Sequence, residues 1–338
     1  MYDIPKKCMA PKELSPDSDV RTQAYIKSTR LFFISSKLFI AQITDIFDRL
    51  WPTLTALKML RWQVRGYYEE LGIGKNEALT KRFVDSIDKT WRPNLYRTCI
   101  KQTWSDTEYS VACDLLVNLF ARYEGWCENI LRELGYTQER QIKTDSKKLQ
   151  FPGKFLIFLN NLKNGADPVI ASSFYNLYAI NNKRYNLAHL DNYLEYYRFF
   201  KECRNSIAHK GETTSQEIIN AHQAIVGISM ADLDVEELPE TPCNVINQPL
   251  QLSLRGVVGF SQILLNIVST MDIELIQAAH AKEYMISQLK IYNPEKPNFV
   301  GINNIGKKIK SMYQKSHFQP PHNALGLYNT LKTQKLML

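Results

Sequence analysis

The sequence is poor in the signals that would assign it quickly. Its six cysteines (Cys8, Cys99, Cys113, Cys127, Cys203 and Cys243) show no paired spacing, so neither a disulfide framework nor a zinc site is expected. No HExxH, CxxC or GxSxG occurs, which removes the common motifs for zinc hydrolysis, thiol exchange and serine hydrolysis. Strand signals are thin. The most apolar stretch near the start, LFFISSKLFIAQITDIF, is interrupted by Lys37 and two serines, and no basic segment with a cleavage site precedes it. A cytoplasmic, membrane-free protein with reduced thiols is the expectation. Negative charge is scarce near the end: from Lys282 onward nine lysines face two glutamates, with no aspartate and no arginine. That segment carries +7 of the net +8, since 33 basic residues meet 32 acidic ones before it.

What the chain does have is helical periodicity. Apolar residues recur at steps of three and four over 20–70, 76–89, 106–135, 190–210, 214–230 and 250–290. An all-α protein follows. Pro52 should break or kink the first helix, because proline offers no backbone donor. Breaks are expected at WRPN, TQERQIKTDSKK, NNLKNGADP and the acidic loop ADLDVEELPETPCNVINQP. The expected organisation is a helical extension over 1–104, a helical domain over 105–290 and a basic, partly disordered tail over 291–338. In that tail GINNIGKK comes within one residue of a phosphate-binding loop. Lys308 stands where Ser or Thr should hold magnesium, and no buried strand precedes it, so a turn is expected.

Two Arg-x4-His pairs stand close together, Arg184 with His189 and Arg204 with His209. Their surroundings separate them. The helix beginning near Leu190 runs to Gly211, a natural stop because glycine accepts the left-handed conformation. His209 then lies in the last turn, a position that favours a cation. Asn205, four residues earlier, shares its face and could orient the ring. Arg204 is five positions from His209, about 140° round the helix, so one chain would not readily aim both groups at one phosphate. Two chains about a two-fold axis could. His189 has Tyr185 in place of that asparagine and no following glycine. It should start the next helix, leaving Arg184 and His189 dispensable for chemistry. The aromatics of YLEYYRFF, at helical spacing, should be core.

RNSIAHKG resembles the signature of HEPN-superfamily domains: arginine, a polar residue that is often asparagine, then histidine at a helix end. The helix ACDLLVNLFARYEGWCENILREL, with Glu124 among apolar residues, is similar to the first helix of such domains. QPLQLSLRGVVGFSQILLNIVSTMD is similar to their closing helix. The resemblance covers about residues 105–290 and implies a HEPN-like up-and-down helical bundle. It implies a metal-independent endoribonuclease, dimeric and toxin-like or active in antiviral defence, needing no cofactor. Arg204 and His209 would be the catalytic pair, with Asn205 and Glu124 in support. RNA would be the substrate and a homodimer the active form, with a regulatory or defence-system protein as a further partner. Lys210, Lys307, Lys308 and Lys310 would meet phosphates. HEPN toxins paired with nucleotidyltransferases carry a tyrosine two residues after the histidine; Gly211 stands there, so that route of silencing is not expected. The alternative is a non-catalytic dimeric module that binds RNA or protein within a larger defence complex.

Overall fold

Apolar residues at steps of three and four become helices throughout. The computed structural model describes residues 30–72, 76–84, 93–151, 154–294 and 302–336. It is 74% helical, and among the described residues there is no strand, only one antiparallel bridge between Thr213 and Pro249. The α-helices are α1 (Ile34–Leu71), α2 (Asn76–Val84), α3 (Trp104–Glu133), α4 (Glu139–Ser146), α5 (Lys154–Lys163), α6 (Pro168–Ile170) and α7 (Asn176–Asn181). They continue with α8 (Leu190–His209), α9 (Gln216–Ile225), α10 (Leu254–Glu274), α11 (Ala281–Tyr292), α12 (Ile302–Lys315) and α13 (Ala324–Thr333). Cys8, residues 20–29 of the expected first helix and 85–89 of the second lie outside the described residues. The five described cysteines are free thiols.

At the centre is α10, which packs on α8, α3 and α1. It is apolar on nearly every side because nearly every side is covered: Val257, Phe260, Ile263, Leu264, Ile267, Val268 and Met271 are all buried. By length and composition alone this helix could cross a membrane, but 78% of its apolar window is buried inside the protein. α9 packs on α8, and α1 on α3. The aromatics of YLEYYRFF are core as expected: Phe200 stacks on Phe260 at 4.4 Å, and Tyr197 lies 5.0 Å from Tyr123. α3 begins with a reciprocal cap, Asp106 N–H donating to Thr103 Oγ1 (3.1 Å) and Thr103 N–H to Asp106 Oδ2 (2.7 Å).

Three sequence expectations need correction. Of the break or kink expected at Pro52, the break is absent: α1 runs through as one helix, with the proline on the exposed side where one absent intrahelical bond is cheap. TQERQIKTDSKK is not a break: it holds α4 and the 3-10 turn Lys147–Gln150. By contrast, the acidic segment is mostly exposed between α9 and α10, as a loop should be, and is anchored at Asn244, which is buried and whose side-chain oxygen accepts from Gln251 N–H at 2.7 Å. Lastly, the basic tail is not disordered over its described part. α12 and α13 bury Ile309, Met312, Tyr313, Leu327 and Leu331 in the same core as α3, α8 and α10. Lys307 and Lys308 of GINNIGKK lie inside α12, not in a turn; Gly301 lies outside the described residues. Proline and lysine mask an apolar stripe at Ile305, Ile309, Met312 and Tyr313.

The main core also takes in Phe32, Phe33, Phe39 and Ile43, so it extends across both 104/105 and 290/291. Beyond it, the far half of α1 meets α2 and the π-helical turn Tyr96–Lys101 in a satellite core of Val64, Leu79, Val84, Leu95 and Cys99.

Two glycines of α10 allow the acidic loop to lie directly on the helix. A Cβ at Gly256 would overlap the Glu240 carbonyl oxygen, and one at Gly259 would stand 3.0 Å from Pro239 Cα. Gly66 in α1 faces open space. Gly256→Ala is therefore expected to destabilise by about 1–3 kcal/mol through overpacking, whereas Gly66→Ala gains about 0.5–1 kcal/mol of helix propensity. Urea midpoints of the two variants should move in opposite directions; equal shifts would refute the close approach.

Three ionisable groups meet where α1 packs on α3 and α10, Lys37 and Asp272 buried and Glu133 half-buried. Asp272 accepts from Phe32 N–H (2.7 Å) and Phe33 N–H (3.1 Å), and Glu133 from Ser35 N–H (3.0 Å). Lys37 Nζ donates to the His317 carbonyl (2.7 Å). Burial raises Asp272 to about 6 and Glu133 to about 7, and lowers Lys37 to about 8. The folded state holds the Glu133 proton more tightly than the unfolded chain, so this group's contribution is greatest below pH 4.5 and falls as pH rises to about 7. Asp272 acts alike between 3.8 and about 6. Lys37 has the opposite sign: stability lost on charging it is regained as pH rises from about 8 to 10.5. Denaturation of Glu133→Gln from pH 4.5 to 7 should show a shallower decline than wild type. Parallel profiles would mean that Glu133 is ionised throughout.

Candidate functional site

The local sequence of α8 sorts its last turns into an anchored side and an accessible side. Cys203 and Ser206 are buried, and Ser206 Oγ donates to the Thr213 carbonyl at 2.7 Å. The helix stops at Gly211 in the left-handed conformation (φ 61°), as the sequence implied. Beyond it, Leu250 N–H donates to the Glu212 carbonyl (2.7 Å), Thr214 N–H to Gln248 (2.9 Å) and Tyr109 Oη to Glu212 Oε2 (3.0 Å). These bonds clamp the helix end to the segment leading into α10, so the end is held from both sides.

Arg204 turns from α8 toward α3. One guanidinium nitrogen pairs with Glu124, and the group lies 5.4 Å from the Phe120 ring centroid. Nη1 donates to Asn205 Oδ1 at 3.3 Å, and Asn205 Nδ2 to Glu202 Oε2 at 3.4 Å. Arg204, Asn205 and Glu124 are thus brought together. His209 is the last residue of α8, exposed, and makes no hydrogen bond or ion pair with a described residue. The expectation that Asn205 orients the His209 ring is corrected: its amide is taken by Arg204 and Glu202. Lys210 is exposed and pairs with Glu217 at 3.0 Å. Lys307 and Lys310 lie on the exposed face of α12, and Lys308 is half-buried.

Sequence reasoning missed a basic, aromatic surface beside Arg204. Lys201, one turn earlier on α8, donates from Nζ to Gln150 Oε1 at 2.8 Å. Its ammonium and that of Lys154 stand 4.8 and 5.0 Å from the Phe151 ring centroid. Lys147, Lys148 and Lys154 line a groove of about 440 Å³ with Phe151 and Ile157. Burial lowers the Lys201 pKa, while Glu124 opposes that shift. The signal lies in KTDSKKLQFPGK, where lysines alternate with apolar residues, but a reading of that stretch as a break conceals it.

The other pair lies at the start of α8. His189 occupies the N-cap of α8, its Nδ1 3.3 Å from Asn186 Nδ2 and its ring 6.4 Å from that of Tyr193. Arg184 lies in the loop before it, its N–H donating to Asn182 Oδ1 at 3.0 Å. Among the described residues no group of three or more His, Cys, Asp or Glu side chains is placed to hold a metal ion. Comparisons with protein-family models, with curated proteins and with solved structures found no match.

Proposed function

We propose that the chain is a HEPN-type, metal-independent endoribonuclease. The observation that carries this reading is the end of α8, where RNSIAHKG leaves His209 exposed at the helix terminus and Arg204 held by Glu124 a turn and a half before it. Guanidinium has five N–H donors and no acceptor, so pairing with Glu124 and Asn205 still leaves donors for a phosphate. An imidazole exposed at a helix end can exchange protons with substrate and solvent.

The reaction is transesterification. The ribose 2′-oxygen bonds to the adjacent phosphorus as its proton passes to a general base, and the bond from phosphorus to the 5′-oxygen breaks as that oxygen takes a proton. The products are a 2′,3′-cyclic phosphate and a 5′-hydroxyl. His209 handles protons, Arg204 stabilises the charge on the phosphoryl oxygens, and Glu124 and Asn205 position Arg204. Neither side chain reaches the other within the chain, which supports a homodimer whose two helix ends share one cleft. RNA held there would lie beside Lys201 and Phe151. By the same resemblance the setting is toxin-like or one of antiviral defence, inside the cell, with a regulatory protein as partner.

The test is incubation of purified protein with total RNA in EDTA, read by end-group analysis, beside sedimentation of the active protein. Cyclic phosphate ends from a dimer support the proposal. A monomer that cleaves at nanomolar concentration rules out the shared cleft.

For the basic tail the expected effect is on binding alone. Lys307→Glu with Lys310→Glu should weaken RNA affinity and flatten its dependence on salt, by about 0.7 in logarithmic slope for each single-strand phosphate that is no longer neutralised. Fluorescence anisotropy over a potassium chloride series reads this. An unchanged slope removes α12 from the RNA surface.

A further inference from the structure

A second polar cavity, of about 510 Å³, opens where the start of α1, the loop after α7 and the middle of α10 meet. Its walls carry four cationic side chains, Arg30, Lys37, Lys183 and Arg184, against one carboxylate, Asp234. The carboxylates of Asp272 and Glu133 act on Lys37, while Arg30, Lys183 and Arg184 line the cavity beside Asp234.

The floor is more telling than the rim. Helix α10 also buries Ser261, Thr270, Asp272 and Glu274, but Gln262, Asn266 and Ser269, four and three residues apart, form the polar stripe that lines the cavity. Gln262 Nε2 donates to Asn266 Oδ1 at 3.2 Å. Ser269 is 1% exposed, and its Oγ has no hydrogen-bond partner. A buried hydroxyl left unpaired is costly, and of the unpartnered buried polar atoms among the described residues this is the one on the cavity lining.

From the cationic rim, the amide-and-hydroxyl floor and the volume, we infer that this cavity binds a phosphorylated small molecule of mononucleotide size. Cations at the mouth suit a phosphate, since charge-assisted bonds to phosphate are the strongest such groups can make. Amides and a hydroxyl suit a body that both donates and accepts, as a nucleobase and ribose do. The volume lies within the usual range for small-molecule sites and exceeds what inorganic phosphate alone would fill. The inference is independent of the ribonuclease reading: Tyr193, on the cavity wall, precedes Arg204 by eleven residues, about 16 Å along α8.

The experiment is calorimetric titration of the full chain with AMP, GMP, CMP and UMP, and separately with the nucleosides and inorganic phosphate. At least one mononucleotide is expected to bind more tightly than either its nucleoside or phosphate. Lys183→Glu, at an exposed position, and Ser269→Val should each weaken that binding about tenfold or more, the loss expected for one charge-assisted or buried hydrogen bond. Arg204→Ala should leave it unchanged, which separates this cavity from the RNA surface. Three results would overturn the inference: no mononucleotide binds, phosphate alone binds as well, or neither Lys183→Glu nor Ser269→Val weakens binding while circular dichroism shows both folded.

Discussion

His209→Ala and Arg204→Ala are each expected to reduce cleavage of total RNA in EDTA to background, while helical content and melting stay close to wild type. Losing a proton-transfer group typically costs 10²–10⁴ in rate, and losing a donor to a charged transition state costs 10²–10³. Either drop is far larger than any effect through stability. His209 is exposed and unpaired among the described residues, a class of position where substitution shifts stability by only about 0.5 kcal/mol. Arg204 gives up a pair with Glu124, whose side chain is 38% exposed, and such pairs contribute about 0–1 kcal/mol. His189→Ala is the matched control, expected to cleave as wild type does because that ring serves at the start of α8. Equal cleavage by all three variants, or cleavage only with added divalent metal, would end the ribonuclease reading.

The second large effect concerns the C-terminal helices. Leu331→Ala is expected to cost about 2–5 kcal/mol, the usual range for emptying a fully buried leucine site. Truncation before Ile302 should abolish the cooperative transition altogether. It removes Tyr313, Phe318, Leu327 and Leu331 from the core, and also the His317 carbonyl that receives the buried ammonium of Lys37. A buried charge stripped of its partner typically costs about 3–5 kcal/mol. Circular dichroism against urea measures both effects. A truncated chain that melts as the full one does would show that α12 and α13 merely decorate the surface. Truncation is accordingly the wrong probe of RNA binding by this segment, and point changes on the exposed face of α12 are the right one.

Helix positions are legible because an apolar stripe is a local signal, repeated every turn. The end of α8 at Gly211, the burial of YLEYYRFF and the role of His189 at a helix start are all readable for that reason. Pro52 misleads because the cost of proline depends on whether the missing bond faces protein or water, and exposure is not written in the neighbouring residues. The tail misleads because its prolines and lysines outnumber a stripe of only a few apolar side chains. At the candidate site, Arg204 and Glu124 stand out separately, one from the motif and the other from its helix. Their pairing across 80 residues rests on how α3 crosses α8. Lys201 escapes notice because a lysine one turn from a motif looks like any solvated lysine. The cavity is still less readable, since its lining comes from three distant segments, around Arg30 and Lys37, around Lys183 and Arg184, and along α10 from Gln262 to Ser269.

The bond from Lys37 to the His317 carbonyl spans 280 positions, and those from Phe32 and Phe33 to Asp272 span about as much of the chain. On a ribosome adding ~5–20 residues per second, Lys37 waits tens of seconds for its acceptor to be made. The end of α8 is synthesised well before that, yet the core it belongs to is completed only by α12 and α13. A nascent chain therefore carries the arginine and histidine of RNSIAHKG before that core is complete. On the ribonuclease reading, competence waits for those helices, which keeps an unfinished molecule from acting beside the RNA that encodes it.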